Sequence, residues 1–329
     1  MNSIQLVWER NLHQSPGSIL MSDINSILIS ERERYIAEID ANTGGTRWKN
    51  RVYSARGYFV STNQIHYYMD QDDIIRRYDS KGAELDPIFF PAYVTRGGYL
   101  RYVQVNSKFL ITGGWRGYTD MVSYDLKARK ILATRDIRKQ DFKGIPTFLN
   151  EGILALIGEC AEILDPRTLK TKHKLNIPKL PFSADLDVPF TIFDGNAFGC
   201  SNNFLFRFNE LATEIDIIYT HSHAFIGLPI VFREFLLIAD TNKRLCCISH
   251  IGELIWTIPL YHPFQLQACL VSDLLVMASG LGPIQVLCPQ SGEILTSRSE
   301  RRVQGGLHPC GFDSFVFGSK GTLVCLKLI

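Results

Sequence analysis

Neither sign of charge is in excess in this sequence. Its 35 Lys and Arg residues balance 33 Asp and Glu, leaving a formal net charge of +2. Nucleic-acid binders usually carry a clustered basic surplus, so no nucleic-acid partner is expected. Long apolar runs are missing as well. No window reaches the ~18 apolar residues of a membrane span, and no membrane association is expected. The opening stretch MNSIQLVWERNLHQ has no basic n-region, no apolar core and no small-residue cleavage site. The eight cysteines are scattered through apolar stretches, which suits buried thiols better than a disulfide framework. These absences together point to a soluble, cytoplasmic protein. Chemical motifs are lacking too: there is no nucleophile elbow, His-Glu-x-x-His, phosphate loop or Cys-x-x-Cys. The sequence therefore names no catalytic set, no metal site and no cofactor.

What is present is a repeat. Its unit is an apolar strand, a polar turn, a second apolar strand, a polar or Gly turn and a third strand. Clear copies begin at Ile27, Phe235 and Leu274. Taking the residue that closes the second strand as anchor gives Asp40, Asp79, Asp125, Asp165, Asn209, Ser249, Cys288 and Lys327, at successive spacings of 39, 46, 40, 44, 40, 39 and 39. Multi-strand repeats of about 40–50 residues are the mark of propeller blades. Eight anchors predict an all-β, eight-bladed β-propeller, a single domain over residues 1–329. The last copy ends at Ile329 without its outer strand. Ile4-Gln5-Leu6-Val7-Trp8 supplies that strand, so residues 1–12 complete the final blade and close the ring without an open sheet edge. Two stretches, Glu31–Ile39 and Asp125–Gln140, have helical propensity. The repeat register places a hairpin at each.

The stretch Ile39-Asp40-Ala41-Asn42-Thr43-Gly44-Gly45-Thr46-Arg47-Trp48 resembles the repeat of quinoprotein-like (PQQ-like) propellers, an apolar strand leading to Asp-x-x-x-Gly and then to a strand bearing Trp. Cys288–Leu295 keeps the Gly, Ile251–Trp256 keeps Gly and Trp, and Tyr78–Gly82 keeps Asp and Gly. The resemblance implies that Trp48 and Trp256 pack between blades. Quinoprotein dehydrogenases of this kind hold a quinone and calcium, in some cases beneath a ring of adjacent cysteines. Cys246-Cys247, however, falls inside a strand, where neighbours point to opposite faces. The chain is read as a non-dehydrogenase member.

In a propeller the blade-to-blade connections and the hairpins between the two middle strands share one face, where binding sites usually lie. On that face the sequence puts Thr112–Asp120, a long Gly-rich hairpin bearing Trp115, Arg116 and Tyr118, with Arg96 and Arg101 in the preceding connection. Trp, Arg and Tyr are enriched at binding hot spots. His221 and His223, two apart on extended chain, share a side, and His13, His262 and His308 are placed in other connections. Two imidazoles fall short of the three or four ligands of a zinc site, so they read as loop histidines. Asp70-Gln71-Asp72-Asp73 lacks the Gly and Glu of a calcium loop and reads as a solvated turn. The expected function is a binding module that recognises a partner protein or peptide on this face. The alternative is an enzyme or accessory factor of a specialised pathway, with a small-molecule pocket at the channel mouth.

Overall fold

The computed structural model describes residues 3–329 other than 24, 32–33, 53–54, 71, 92–99, 115–119, 138–141, 159, 177–189, 210, 212, 262–265, 280 and 300–301. The described chain is all strand and turn. The first strand is β1 (Ile4–Asn11). Blade 1 follows as β2 (Pro16–Asp23), β3 (Ser26–Glu31), β4 (Tyr35–Asp40) and β5 (Thr46–Arg51). Blade 2 is β6 (Ala55–Thr62), β7 (Ile65–Asp70), β8 (Ile75–Asp79) and β9 (Glu84–Ile88). Blade 3 is β10 (Leu100–Val105), β11 (Phe109–Gly114), β12 (Met121–Asp125) and β13 (Lys130–Arg135). Blade 4 is β14 (Phe142–Leu149), β15 (Gly152–Ile157), β16 (Cys160–Leu164) and β17 (Thr171–Asn176). Blade 5 is β18 (Thr191–Phe193), β19 (Asn196–Ser201), β20 (Phe204–Phe208) and β21 (Ile215–Thr220). Blade 6 is β22 (Phe225–Phe232), β23 (Phe235–Asp240), β24 (Arg244–Ser249) and β25 (Leu254–Pro259). Blade 7 is β26 (Gln267–Val271), β27 (Leu274–Ala278), β28 (Ile284–Leu287) and β29 (Ile294–Arg298). Blade 8 is β30 (Gln304–Cys310), β31 (Ser314–Ser319) and β32 (Thr322–Leu328), with β1 as its outer strand in the order β1-β32-β31-β30.

The protein is an eight-bladed β-propeller closed by its N-terminal strand. Closure is antiparallel, with Ile4 opposite Leu328, Trp8 opposite Cys325 and Asn11 opposite Thr322. The Ser3 and Ile329 amides and carbonyls exchange hydrogen bonds of 2.8 and 2.9 Å at its end. The described parts of the stretches with helical propensity are strand and turn, on β3 and β4 and on β12 and β13, while 32–33 and 138–140 fall outside the described residues. Each blade also holds a fourth, innermost strand that the three-strand repeat unit does not display.

The chain divides into two compact units, one of Met1–Pro87, Ala239–Ser249 and Leu254–Ile329, the other of Ile88–Ile238 and His250–Glu253. Within each, period-two alternation explains the continuous apolar runs. In the first unit, Ile27 and Ile29 of β3 pack with Val316, Leu323 and Cys325 of blade 8, while Leu28 between them packs with Phe59, Tyr68 and Tyr78 of blade 2. Phe315 and Phe317 of β31 join Val276 and Val286 of blade 7, whereas Val316 faces blade 1. In the second unit, Leu154 and Leu156 of β15 meet Phe206 and Phe208, and Ile153 and Ala155 meet Ile111 and Met121. A middle strand is buried on both faces because each face meets a neighbouring blade.

The Asp-x-x-x-Gly turns show why the motif takes these residues. Asp40 Oδ1 accepts hydrogen bonds from the amides of Asn42 (3.1 Å) and Thr43 (3.0 Å), and the Gly44 amide donates to the Asp40 carbonyl at 2.9 Å. Asp125 and Asp165 hold their own turns in the same way. Hydrogen bonding from Arg47 and the turn amides holds the Asp40 carboxyl below its usual range against some loss of solvent. Gly44 and Gly292 have φ of +70° and +72°, the left-handed region that Gly enters without steric cost. On each lies an indole from the preceding blade: Trp8 on Gly44 and Trp256 on Gly292, with Trp48 on Gly82 likewise. Trp8 Nε1 donates to the Ala41 carbonyl and Trp256 Nε1 to the Pro289 carbonyl, each at 2.9 Å. Two residues beyond the Trp position, Arg10 donates to the Gly44 carbonyl and Asn50 to that of Gly82, each at 2.7 Å. In the second unit Arg135 reaches the Leu169 carbonyl at 3.3 Å from the corresponding place.

Candidate functional site

Hairpins between middle strands and connections between blades lie at one end of the strands, by the up-and-down order of each sheet. That end is the candidate face. Several charged groups that the sequence places there are already committed. Asp70 Oδ1 accepts from the amides of Asp72 (2.9 Å) and Ile74 (3.0 Å), and Oδ2 from Arg76 Nε at 2.9 Å. The acidic run thus caps its own hairpin through a buried first residue. Asp240 Oδ1 accepts from the Arg244 amide at 2.8 Å at the matching place in blade 6. Glu31, buried at the end of β3, pairs with Lys49 Nζ at 2.6 Å and accepts from the His13 amide at 2.9 Å. Lys49 Nζ also sits 4.2 Å from the centre of the Tyr35 ring.

The structure brings His221 and His223 together, with ring centres 5.7 Å apart. The His221 ring stacks on Phe225 at 5.3 Å and 9°, and its main-chain amide donates to the Asn203 carbonyl at 2.8 Å. His223 Nδ1 lies 2.9 Å from Ser222 Oγ. His308 is on β30 itself rather than in the connection before it. It is half-buried, with Nε2 2.9 Å from the Gly305 carbonyl, and burial lowers its pKa. Arg101 lies on β10. Arg96, Trp115, Arg116, Tyr118 and His262 fall outside the described residues.

Two residues that the sequence reading did not single out stand on the same end of blade 7. Tyr261, in the connection from β25, is 74% exposed, and Leu281, in the β27–β28 hairpin, is 58% exposed. The residue after Leu281 approaches Tyr261: a Cβ on Gly282 would lie 3.5 Å from Tyr261 Cβ and 3.6 Å from its ring. Neither carries a sequence motif. Only the fold brings Gly282, and Leu281 next to it in sequence, to Tyr261.

A second polar cluster lies in the seam of blades 1 and 2. Glu38, 3% exposed, accepts from Trp48 Nε1 at 2.5 Å and from Arg47 at 3.3 Å. His66 Nε2 is 3.9 Å from Glu38 Oε2, and its Nδ1 is 2.9 Å from Ser61 Oγ. Burial lowers the His66 pKa, opposed by the nearby carboxylates of Glu38, Asp79 and Asp23. Cys246 and Cys247 occupy opposite faces of β24, both buried, both free thiols, each pushed up to about 12 by loss of solvent.

No family model matches the chain, and no curated protein matches it in sequence. Solved structures match its fold. The computationally designed Ika8 protein superposes with a TM-score of 0.72 at 12% identity, over 99% of this chain and all of its own. BamB from Moraxella catarrhalis gives 0.71 at 11% identity, over 99% of this chain and 98% of its own. The C-terminal WD40 domain of Sif2 gives 0.71 at 11% identity, covering 98% of both. At such identities the likeness is one of fold: this chain is a β-propeller. Propellers host many functions, commonly as protein-interaction modules.

Proposed function

We propose that the protein is a cytoplasmic propeller of the quinoprotein-like repeat class, acting as a single scaffold that binds a partner protein or peptide on its loop-bearing face. The observation that carries this is the exposed pair Tyr261 and Leu281. A large exposed aromatic with an exposed leucine close by in the fold is what an interface can bury, and the aromatic is of a type enriched there. Trp115, Arg116 and Tyr118, with Arg96, Arg101, His221, His223, His262 and His308, would add to the same face. Kinship with quinoprotein-like repeats draws support from three indoles resting on turn glycines.

The test is to place a photo-cross-linking amino acid at position 261 and irradiate living cells. Discrete protein adducts that vanish when Leu281→Asp is added are expected. Adducts insensitive to that change, or none, would defeat this reading. A stoichiometric chromophore or metal in the purified protein would move weight to a small-molecule enzyme.

A further inference from the structure

The outer strands carry a second, independent pattern at the other end of the blades. Six of them share a bulge at one place. Opposite a regular third strand, Val7, Arg47, Leu132, Lys172, Ile255 and Leu295 are each the extra residue, just before or at the Trp position. A bulge sets two successive residues against one and re-aims a side chain that strict alternation would have turned the other way. In β5 the pair at this place is Thr46-Arg47, and in β17 it is Thr171-Lys172. In β25, β29 and β1 it is Leu254-Ile255, Ile294-Leu295 and Leu6-Val7, six aliphatic side chains each 37–49% exposed.

These three strands are the outer edges of consecutive blades, all within the first unit. Trp256 of β25 rests on the turn that opens β29, and β29 runs beside β1. Exposed apolar residues scattered singly need no explanation, but contiguous ones mark interaction sites. Acidic side chains stand beside them. Glu9 and Glu293 are exposed at the margins, and neither is ion-paired among the described residues. Of the cations near β1, Lys327 pairs with Asp313 at 2.8 Å, and the Arg10 guanidinium is drawn toward blade 1 by the Gly44 carbonyl at 2.7 Å.

We infer that this outer rim docks an amphipathic helix of a partner protein, its apolar stripe on the three aliphatic pairs and Lys or Arg residues along its edges facing Glu9 and Glu293. Area favours a helix over a second copy of the chain. At ~60–120 Å² for a fully exposed aliphatic side chain, the size implied by its transfer energy, six that are less than half exposed offer roughly 350 Å² at most. A stable protein dimer needs about 800 Å² per partner. One helix of about four turns, its stripe continued from i, i+3, i+4 and i+7 to i+11 and i+14, spans the roughly 20 Å across three blades and suits the smaller patch. The rim lies at the strand ends opposite Tyr261 and Leu281, so it is separate from the face proposed above.

The test uses the intact chain and two synthetic helical peptides with one leucine stripe, flanked by Lys in one and by Glu in the other, read by fluorescence anisotropy. The Lys peptide is expected to bind saturably and at least ~tenfold more tightly than the Glu peptide, with the gap closing as salt screens the pair. Val7→Ser with Leu295→Ser should weaken it by about tenfold, and Glu9→Lys with Glu293→Lys should erase the preference. Both are surface changes, and an unchanged melting curve checks that each variant folds. Tyr261→Ala should leave the peptide affinity unchanged. Equal binding of the two peptides, no binding of either, or loss caused only by Tyr261→Ala overturns the proposal. A dimer in sedimentation that Val7→Ser with Leu295→Ser dissolves, or binding to anionic vesicles in place of the Lys peptide, overturns it in favour of another occupant.

Discussion

The indole of Trp8 lies on the backbone of Gly44, so close that a Cβ there would come within 2.8 Å of a ring carbon. One residue comes from the outer strand that closes the last blade, the other from the turn of the first. The contact therefore seals the ring where the two ends of the sequence meet, and Trp48 on Gly82 and Trp256 on Gly292 repeat it farther along.

Two glycines of similar conformation separate backbone strain from this packing. Gly44 and Gly311 have φ of +70° and +66°, but a Cβ on Gly311 would meet nothing within 4 Å. Gly311→Ala should cost about 1–2 kcal/mol, the left-handed penalty alone. Gly44→Ala should cost about 1–3 kcal/mol more, because the ring must move. Denaturant midpoints measure both, and equal losses would mean that the indole yields freely.

Closure predicts a second outcome. Deleting residues 1–12 removes the hydrogen-bonded partner of β32 and uncovers a sheet edge, an invitation to aggregation. Trp8→Ala alone should cost roughly 3 kcal/mol, at the low end for a truncated aromatic because Trp8 is only half-buried. Unchanged melting temperature and solubility after the deletion would show that blade 8 stands without β1.

Acid should weaken the fold before its carboxylates titrate. His66, His250 and His308 all have pKa values lowered chiefly by burial. The unfolded chain takes up protons first, near the ordinary value of about 6.5. Stability is then fully present above that pH and declines as pH falls from it toward the lowered folded values. His66→Gln should flatten part of this decline in urea titrations at stepped pH. A slope unaltered by the change would place the proton uptake elsewhere.

Thiol reactivity should be uneven. Hydrogen bonding from Ser291 and Gln290 holds the little-buried Cys288 thiol below its usual range, whereas burial pushes Cys200, Cys246, Cys247 and Cys269 up to about 12. Since the thiolate is the nucleophile, Cys288 should react first with a disulfide reagent at neutral pH. Cys288→Ser should abolish that fast phase, and all eight cysteines should react after denaturation. A fast phase that survives Cys288→Ser would refute the assignment.

The fold was legible because blade structure repeats, and a repeat averages away local ambiguity. Glu31–Ile39 has helical propensity, yet register made it a hairpin, because only a hairpin there buries Leu28 against one neighbour and Ile27 and Ile29 against the other. The innermost strands are absent from the repeat unit itself for a physical reason. In PGSILMSD only Pro16 and Ile19 are buried, and Pro and Gly stand in place of an apolar run.

The sequence by itself determined the blade number and the closing strand, since both rest on a unit that recurs at near-regular spacing along the chain, whereas the seating of each indole on a turn glycine came from the structure. Only the tertiary structure decided which apolar side chains stand exposed. Tyr261 and Gly282, the residue after the exposed Leu281, are 21 positions apart and meet only in the folded chain. Val7, Ile255 and Leu295 read as ordinary strand residues until a bulge turns them outward on adjoining blades. Exposure belongs to the packed state, and no local spacing encodes it.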